Sequence, residues 1–199
     1  MFGFTLLISI LILLVSPIII FLIGKWSEIA AKWTAFGSVL VAAVFFVLTL
    51  GDVRASELGH VEAWDWISFN IGSKGFDINF SLIADGLSFP IVSIIFILCL
   101  AAIMYSFGYM KKEKNLGAYY ALLVLYVAGM VGVVLAGDLV QFYIFWELML
   151  IPSYFIIANW GTKPNSVKIA FKYFIFTHVG AMAILIGIGG LWAYGSGVE

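Results

Sequence analysis

The sequence predicts an all-α membrane protein, a polytopic helix bundle of about six transmembrane helices with a short extracytoplasmic loop that resembles a β-hairpin. Of the 199 residues, 64% are hydrophobic and 11% are charged, whereas a soluble domain has roughly half apolar and a quarter charged residues. The mean hydropathy is +1.13. Six stretches are apolar over about 20 residues, the length that crosses a bilayer. We therefore expect a single membrane domain over residues 1–199.

The outer loop is predicted at residues 51–85, and the first span is expected to be a retained helix. That span differs from a signal peptide because it lacks a positively charged start, its apolar run is too long and no small-residue cleavage site follows. The six spans are predicted at residues 2–23, 31–50, 86–109, 116–136, 139–158 and 169–194.

Charge and cysteine content argue against several classes of function. The net charge of −1, without a basic stripe, argues against a nucleic-acid partner. Cys99 is the only cysteine, so neither a disulfide framework nor a thiolate metal site is expected. Two histidines without a third ligand nearby do not predict a metal site. No phosphate-binding loop or nucleophile elbow is present, so we expect no catalytic residue and no cofactor in this chain.

The distribution of basic residues predicts the orientation. Six spans place both termini on one side, where the loops hold only Arg54 and Lys74, while the opposite loops and helix ends hold eight lysines. By the positive-inside rule, both visible termini lie on the outer side. The eight are Lys25, Lys32, Lys111, Lys112, Lys114, Lys163, Lys168 and Lys172.

The outer loop carries a strand pattern. Residues 76–82 alternate apolar and polar side chains, a period of two that is typical of a strand. Residues 72–75 (Gly-Ser-Lys-Gly) predict a turn, and residues 64–71 the preceding strand. We predict a hairpin on the membrane surface with Trp64 and Trp66 at the interface; an irregular surface loop is the alternative.

Glu147 is the main candidate functional residue. If the fifth span starts near Asp138, Glu147 lies roughly 13.5 Å along it, close to the middle of a ~30 Å hydrocarbon core. Intramembrane carboxyls usually face a bundle interior or a water-filled cavity. Tyr143 and Tyr154 fall on the same helix face. A protonatable site is the functional interpretation, and a carboxyl that merely hydrogen-bonds a neighbouring helix is the structural one.

Pro152 predicts a kink just beyond Glu147. Proline has no N–H and crowds the carbonyl four residues earlier, that of Leu148. In lipid, protein or water must satisfy the freed acceptor. The kink is either architectural or a site of local hydration beside the acid.

The sixth span offers further candidates. Lys168 and Lys172 lie near the inner surface, where snorkelling anchors are the default explanation and an ion-path role for Lys172 is the alternative. His178 lies about 9 Å deeper than Lys172 and is either a proton relay or a hydrogen-bonded structural residue. A stripe of small residues further along predicts close helix packing. It consists of Gly180, Ala183, Gly187 and Gly190.

Three motifs resemble one known family, the antiporter-like subunits of respiratory complex I, most closely the chain-M type. Relatives of that family occur in membrane-bound hydrogenases, sulfur reductases and multisubunit cation/proton antiporters. Residues 85–88 (Asp-Gly-Leu-Ser) are a weak match by themselves, whereas residues 145–152 (Phe-Trp-Glu-Leu-Met-Leu-Ile-Pro) are specific. Residues 172–177 (Lys-Tyr-Phe-Ile-Phe-Thr) match as well. From the residues alone, Asp85 or Ser88 is expected to cap the third span.

The resemblance implies a proton-translocating subunit of a membrane-bound redox complex, NADH dehydrogenase-like or hydrogenase-like, in an energy-transducing membrane. Such a subunit has no redox centre, and iron–sulfur clusters are expected in partner subunits of a large hetero-oligomer. Glu147 resembles the family's fifth-helix glutamate, whose partner is a lysine on the seventh helix. A nearby cation favours the charged carboxylate, and its withdrawal favours the protonated form.

The chain departs from the family because it stops after the sixth helix, whereas members have about fourteen helices that include two inverted repeats. It is therefore a fragment, one part of a split subunit, or a half-channel that has become structural. We expect Glu147 to receive a cationic partner from outside these 199 residues. A redox-free cation/proton antiporter subunit and a structural scaffold subunit are the alternative functions.

Overall fold

The computed structural model describes residues 4–55, 59–71 and 74–195, which form seven α-helices and one antiparallel pair of strands. In chain order these are α1 (Thr5–Gly24), α2 (Glu28–Val47), α3 (Leu50–Ala55), β1 (His60–Ile71), β2 (Lys74–Ala84), α4 (Ser88–Tyr109), α5 (Leu116–Leu135), α6 (Leu139–Trp160) and α7 (Ser166–Gly195).

Six of these helices are long and apolar enough to cross a membrane, with α3 continuing the second of them, which confirms the predicted fold class. Two of them, α2 and α7, begin three residues before their predicted starts, at Glu28 and Ser166. Hydropathy marks the first apolar residue, but hydrogen bonding starts the helix earlier. The Ser27 hydroxyl accepts the Ala30 N–H at 3.2 Å and caps α2 while Glu28 is still polar.

The predicted hairpin is present. Its strands are antiparallel, with His60 opposite Ala84 and an irregular register between Asp65 and Ile67. It is longer than predicted because β1 begins at His60, ahead of the alternating pattern. Of the predicted turn, residues 72–73 lie outside the described residues, and the two that follow belong to β2.

The helices pack around α1 and α5. Helix α1 contacts α2 and α5, α5 contacts α6, and α6 contacts α7. A Cβ added at Gly117 would lie 2.6 Å from the Cα of Gly24, so glycine at both positions lets α1 and α5 touch through their backbones.

Helix α7 lies at the periphery. Of its candidate membrane-spanning segment, 6% is buried within the bundle, against 50% for α5. The small-residue stripe on α7 was expected to pack closely against another helix. Apart from the chain neighbours and the nearby backbone of α7 itself, no atom lies within 4 Å of a Cβ added at Gly180, Gly187 or Gly190, so the described part of the chain does not make this contact.

The hairpin is fastened to the bundle at the end where α1 begins. The Glu62 carboxylate accepts the backbone N–H groups of Leu6 and Leu7, each at 2.9 Å, and thereby caps α1. On the other strand, Ser81 accepts the Gly137 N–H and donates its own N–H to the Gln141 side chain, both at 2.9 Å. The start of α6 is therefore fixed against the hairpin.

Asp85 or Ser88 was predicted to cap α4, and both side chains take part, in a reciprocal arrangement. The Asp85 carboxylate accepts the Leu87 and Ser88 N–H groups at 3.0 and 2.6 Å, and the Ser88 hydroxyl accepts the Asp85 N–H at 2.7 Å. The Ser88 N–H and hydroxyl lower the pKa of the Asp85 carboxyl, with a smaller contribution from the Leu87 N–H. At the start of α6, the Asp138 carboxylate accepts the Val140 N–H at 2.7 Å and caps that helix.

Candidate functional site

Glu147 and His178 face each other across α6 and α7. The Nδ1 atom of His178 lies 3.2 Å from Oε2 of Glu147, within hydrogen-bonding distance. The two helices are adjacent and enter from opposite ends of the bundle. A carboxyl group and an imidazole are therefore in direct contact, so a proton can pass between them without an intervening group.

The contact lies near the middle of both helices. Glu147 is roughly 12 Å from the start of α6 at Leu139, which leaves about 20 Å to the other end of that helix. His178 is roughly 18 Å from the start of α7 at Ser166, so the two side chains reach similar depths. A charged carboxylate at that depth costs on the order of 3 kcal/mol to insert, and a nearby hydrogen-bond donor offsets part of this cost.

The two carboxylate oxygens of Glu147 have different surroundings. Oε2 contacts the histidine, whereas Oε1 is buried and has no hydrogen-bond partner in the described part of the chain. The Glu147 side chain is 25% exposed and that of His178 is 43% exposed in the bundle. One side of the pair is thus sheltered by the bundle, and the other is open.

Aromatic side chains border the pair. Tyr143 interacts with the Glu147 carboxylate from one turn earlier on α6. The ring of Phe174 stacks on His178 at 5.6 Å, with 10° between the ring planes. Tyr154 packs edge-on against Phe174, with the ring centroids 5.6 Å apart. Tyr143 therefore adjoins the acid, whereas Tyr154 reaches the pair through the Phe174 ring.

Pro152 lies inside α6, which continues past it to Trp160. It is buried, and the next residue ties α6 to α7, because the Ser153 hydroxyl lies 3.2 Å from the hydroxyl of Tyr173. The same Ser153 hydroxyl donates to the Leu150 carbonyl at 2.9 Å. The kink at Pro152 stays a prediction.

The lysines of α7 lie apart from the pair. Lys168 and Lys172 are exposed, and Lys172 is about 9 Å along the helix from His178. In the ranges that the structure covers, neither forms an ion pair. The role of Lys172 in the proton path stays a prediction. Among the described residues there is no group of three or more His, Cys, Asp or Glu side chains that could hold a metal ion.

The sequence identified Glu147 and His178 separately but did not predict their contact. A signal was available, because consecutive spanning helices run antiparallel and their depths are counted from opposite faces. Counted in this way, the two residues fall within about 3 Å of the same depth.

A second titratable cluster was also missed. His60 bridges two carboxylates at the hairpin end of the bundle, with Nε2 at 2.9 Å from Oε1 of Glu62 and Nδ1 at 3.1 Å from Oδ2 of Asp52. The Glu62 side chain is only 1% exposed. Because residues 60 and 62 of a strand share a face, their spacing could have indicated the His60–Glu62 contact but not the link to α1.

A bundle of spanning helices with a carboxylate–imidazole contact at mid-depth defines an integral membrane protein with an internal titratable pair. Two family models match it. Residues 136–199 match the NADH:quinone oxidoreductase/Mrp antiporter transmembrane model. Residues 66–120 match the model of the N-terminus of chain 5 of NADH-ubiquinone oxidoreductase, complex I.

Known proteins agree with these matches. The F420H2 dehydrogenase subunit M of Methanosarcina mazei is 31% identical over 84% of this chain and 32% of its own length. The chloroplastic NAD(P)H-quinone oxidoreductase subunit 5 of Piper cenocladum is 30% identical over 85% of this chain and 23% of its own. The Na+/H+ antiporter subunit A1 of Staphylococcus haemolyticus is 32% identical over 74% and 18%.

One solved structure shares the fold. It is that of the membrane-bound sulfane sulfur reductase, an archaeal respiratory membrane complex, with a TM-score of 0.74 and 16% identity over 92% of this chain and 36% of that chain. The chain belongs to the antiporter-like membrane subunits of the complex I superfamily. It spans about a third or less of the length of these relatives.

Proposed function

We propose that this chain moves protons through the membrane by way of the Glu147–His178 pair, within a redox complex whose partner subunits transfer electrons. The observation that carries the proposal is the 3.2 Å contact between a carboxylate and an imidazole at mid-depth. A scaffold subunit has no need of two titratable side chains at this depth. Placing them there costs free energy, which favours a function for the pair.

The pair can hold one exchangeable proton without net charge. Glu147 carboxylate with His178 imidazolium is one form, and Glu147 carboxylic acid with neutral His178 is the other. The proton moves between Oε2 and Nδ1, and no bond other than O–H and N–H is made or broken. Uptake of a second proton leaves the pair at +1, and release of the first leaves it at −1. A field or conformational change that favours one of these states would then load or unload it.

A further group is expected at Oε1 of Glu147, which is buried and has no partner in the described chain. Family resemblance suggests a lysine on a following helix, in the same or another polypeptide. Such a cation would favour the ionised carboxylate and help to release its proton.

The proposed orientation puts the lysine-rich end on the inner side and the hairpin with both visible termini outside. Its support is that the three loops at the end opposite the hairpin, at residues 25–27, 110–115 and 161–165, contain five lysines. The proposed iron–sulfur clusters belong to partner subunits, as in a hydrogenase-like or NADH dehydrogenase-like assembly.

Proton pumping by the assembled complex tests the function. We expect Glu147→Gln and His178→Asn each to lower the number of protons pumped per electron in sealed vesicles while the complex still assembles. Because the residues act as one unit, the double variant should be no worse than either single variant. The control is Thr177→Val, which removes a polar but non-titratable group next to His178. Unchanged stoichiometry in Glu147→Gln would favour the scaffold.

Lys172→Gln separates the two interpretations of that lysine. If Lys172 is an anchor, pumping is unchanged, as in the equally exposed Lys168→Gln control. If only Lys172→Gln slows pumping, Lys172 belongs to the ion path.

A redox-free cation/proton antiporter is the second candidate, favoured by the 32% identity with the Na+/H+ antiporter subunit A1. The discriminating measurement is proton movement in vesicles driven either by an electron donor or by a sodium gradient. Movement that requires sodium and ignores the donor would replace redox coupling with antiport.

A further inference from the structure

A cavity of about 690 Å³ opens at the end of the bundle opposite the hairpin. It lies where α1 ends and α5 begins, next to Gly24 and Gly117, whose close contact holds the two helices together. The Trp160 indole N–H donates to the Lys114 carbonyl at 3.2 Å, which ties the α4–α5 loop to the end of α6. The cavity wall is therefore braced by three helices and one loop.

The cavity is positively charged. Lys25, Lys112 and Lys114 line it together with a single carboxylate, that of Glu113, which leaves a formal charge of +2. All four side chains are exposed, and none forms an ion pair within the described ranges. Three ammonium groups around one concave space suit a phosphate group.

An apolar groove of about 470 Å³ continues from this cavity along the helices. The two share Phe21, Ala118, Asn159 and Trp160, and the groove goes on past Ile18 and Leu125 towards the middle of the bundle. Its direction is that of an acyl chain, because α1, α5 and α6 are spanning helices. A soluble anion would occupy only the lysine-lined cavity, whereas a lipid would occupy both the cavity and the groove.

We propose that this cavity and groove form a binding site for one anionic glycerophospholipid. The lysines hold the phosphate, and an acyl chain lies in the groove between α1, α5 and α6. Trp160 stands at the junction, at the interfacial level that tryptophan prefers. The proposal rests on the membrane-spanning fold and these side chains, and it is independent of proton transfer at Glu147.

Photocrosslinking tests the site in the native complex that contains this chain, reconstituted in vesicles of phosphatidylcholine with a photoactivatable phosphatidylglycerol. Labelled peptides should include residues 112–118 and 159–160. Lys112→Gln with Lys114→Gln should weaken labelling about thirtyfold, which corresponds to about 1 kcal/mol per lysine near an anionic lipid. The matched control, Lys163→Gln with Lys168→Gln, removes the same charge from the same end outside the cavity and should leave labelling unchanged.

Leu125→Trp tests the groove, because it fills apolar space and leaves the lysines in place. It should reduce phosphatidylglycerol labelling while proton pumping by the complex, used as the measure of folding, is kept. Glycerophosphoglycerol, the headgroup without acyl chains, should not compete at millimolar concentration. Full competition by that headgroup, equal labelling by photoactivatable phosphatidylcholine, or a crosslink from this cavity to a neighbouring subunit would each overturn the proposal.

Discussion

Glu62 is predicted to hold the start of α1, and Glu62→Ala should loosen that helix end more than any other single substitution in the hairpin. The carboxylate accepts the Leu6 and Leu7 N–H groups at 2.9 Å each, and Thr5 Oγ1 lies at 3.4 Å. Helix N-termini have unsatisfied donors and a partial positive charge, so a buried anion there is strongly favoured. Glu62 comes from a strand more than fifty residues away along the chain, so its removal also breaks the link between β1 and α1, while the contacts of Ser81 with the start of α6 remain.

The expected cost can be worked from these contacts. The Leu6 N–H belongs to a fully buried residue, and leaving it without a partner costs about 2 kcal/mol. Leu7 is half-buried, so water partly replaces the lost acceptor and the cost is about 1 kcal/mol. Loss of the charge at the helix dipole adds roughly 0.5 kcal/mol. The total of about 3.5 kcal/mol corresponds to opening of the first turn that is more frequent by a factor of a few hundred.

Hydrogen–deuterium exchange of the peptide that covers the start of α1 measures this opening in the assembled complex. Glu62→Gln keeps one acceptor and should accelerate exchange by a much smaller factor than Glu62→Ala. Asp65→Ala is the matched control, because it removes an exposed carboxylate from the same strand and should change little. Equal exchange in the Glu62→Ala and Asp65→Ala variants would refute the capping role.

Three further predictions concern a pH dependence, a helix contact and the orientation. The pKa of Asp85 is lowered in the fold, so the stabilisation by this carboxylate is present above the unfolded pKa of 3.8 and is lost as pH falls through the folded pKa. Asp85→Ala should remove that part of the acid sensitivity in thermal melts and should cost about 1 kcal/mol of stability at neutral pH. Gly117→Val should destabilise the bundle by about 2–3 kcal/mol in a denaturant titration, because the new Cβ would lie 2.6 Å from the α1 backbone. Gly108→Val is the milder control, because the space around Gly108 is open. Cysteines at Ala63 and Glu113 should react with an impermeant reagent from opposite sides, Ala63 from outside, and reversed labelling would overturn the orientation.

The helices could be predicted from the sequence because each spanning segment satisfies its own backbone hydrogen bonds and shows itself in hydropathy alone. Asp85 and Asp138 were also predictable, since a cap acts on donors two or three residues away. The starts of α2 and α7 were misplaced by three residues, and at α2 the reason is a cap. Ser27 begins α2 while the chain is still polar, and a hydropathy window does not register a cap.

The contacts that matter most at the candidate sites join distant segments, which hydropathy and periodicity do not encode. Glu62 lies two residues before the strand predicted at residues 64–71, and nothing near it in sequence indicates that α1 supplies its hydrogen-bond donors. Glu147 differs, because a carboxylate at mid-depth must find a partner and the next helix returns through the same depth. Because consecutive spanning helices run antiparallel, the candidate partners of Glu147 on α7 lie within about one helical turn, and His178 is the titratable residue there. By the same argument, the cation proposed above as a further partner of Glu147 would lie at this depth, on whichever helix covers the exposed side of the pair.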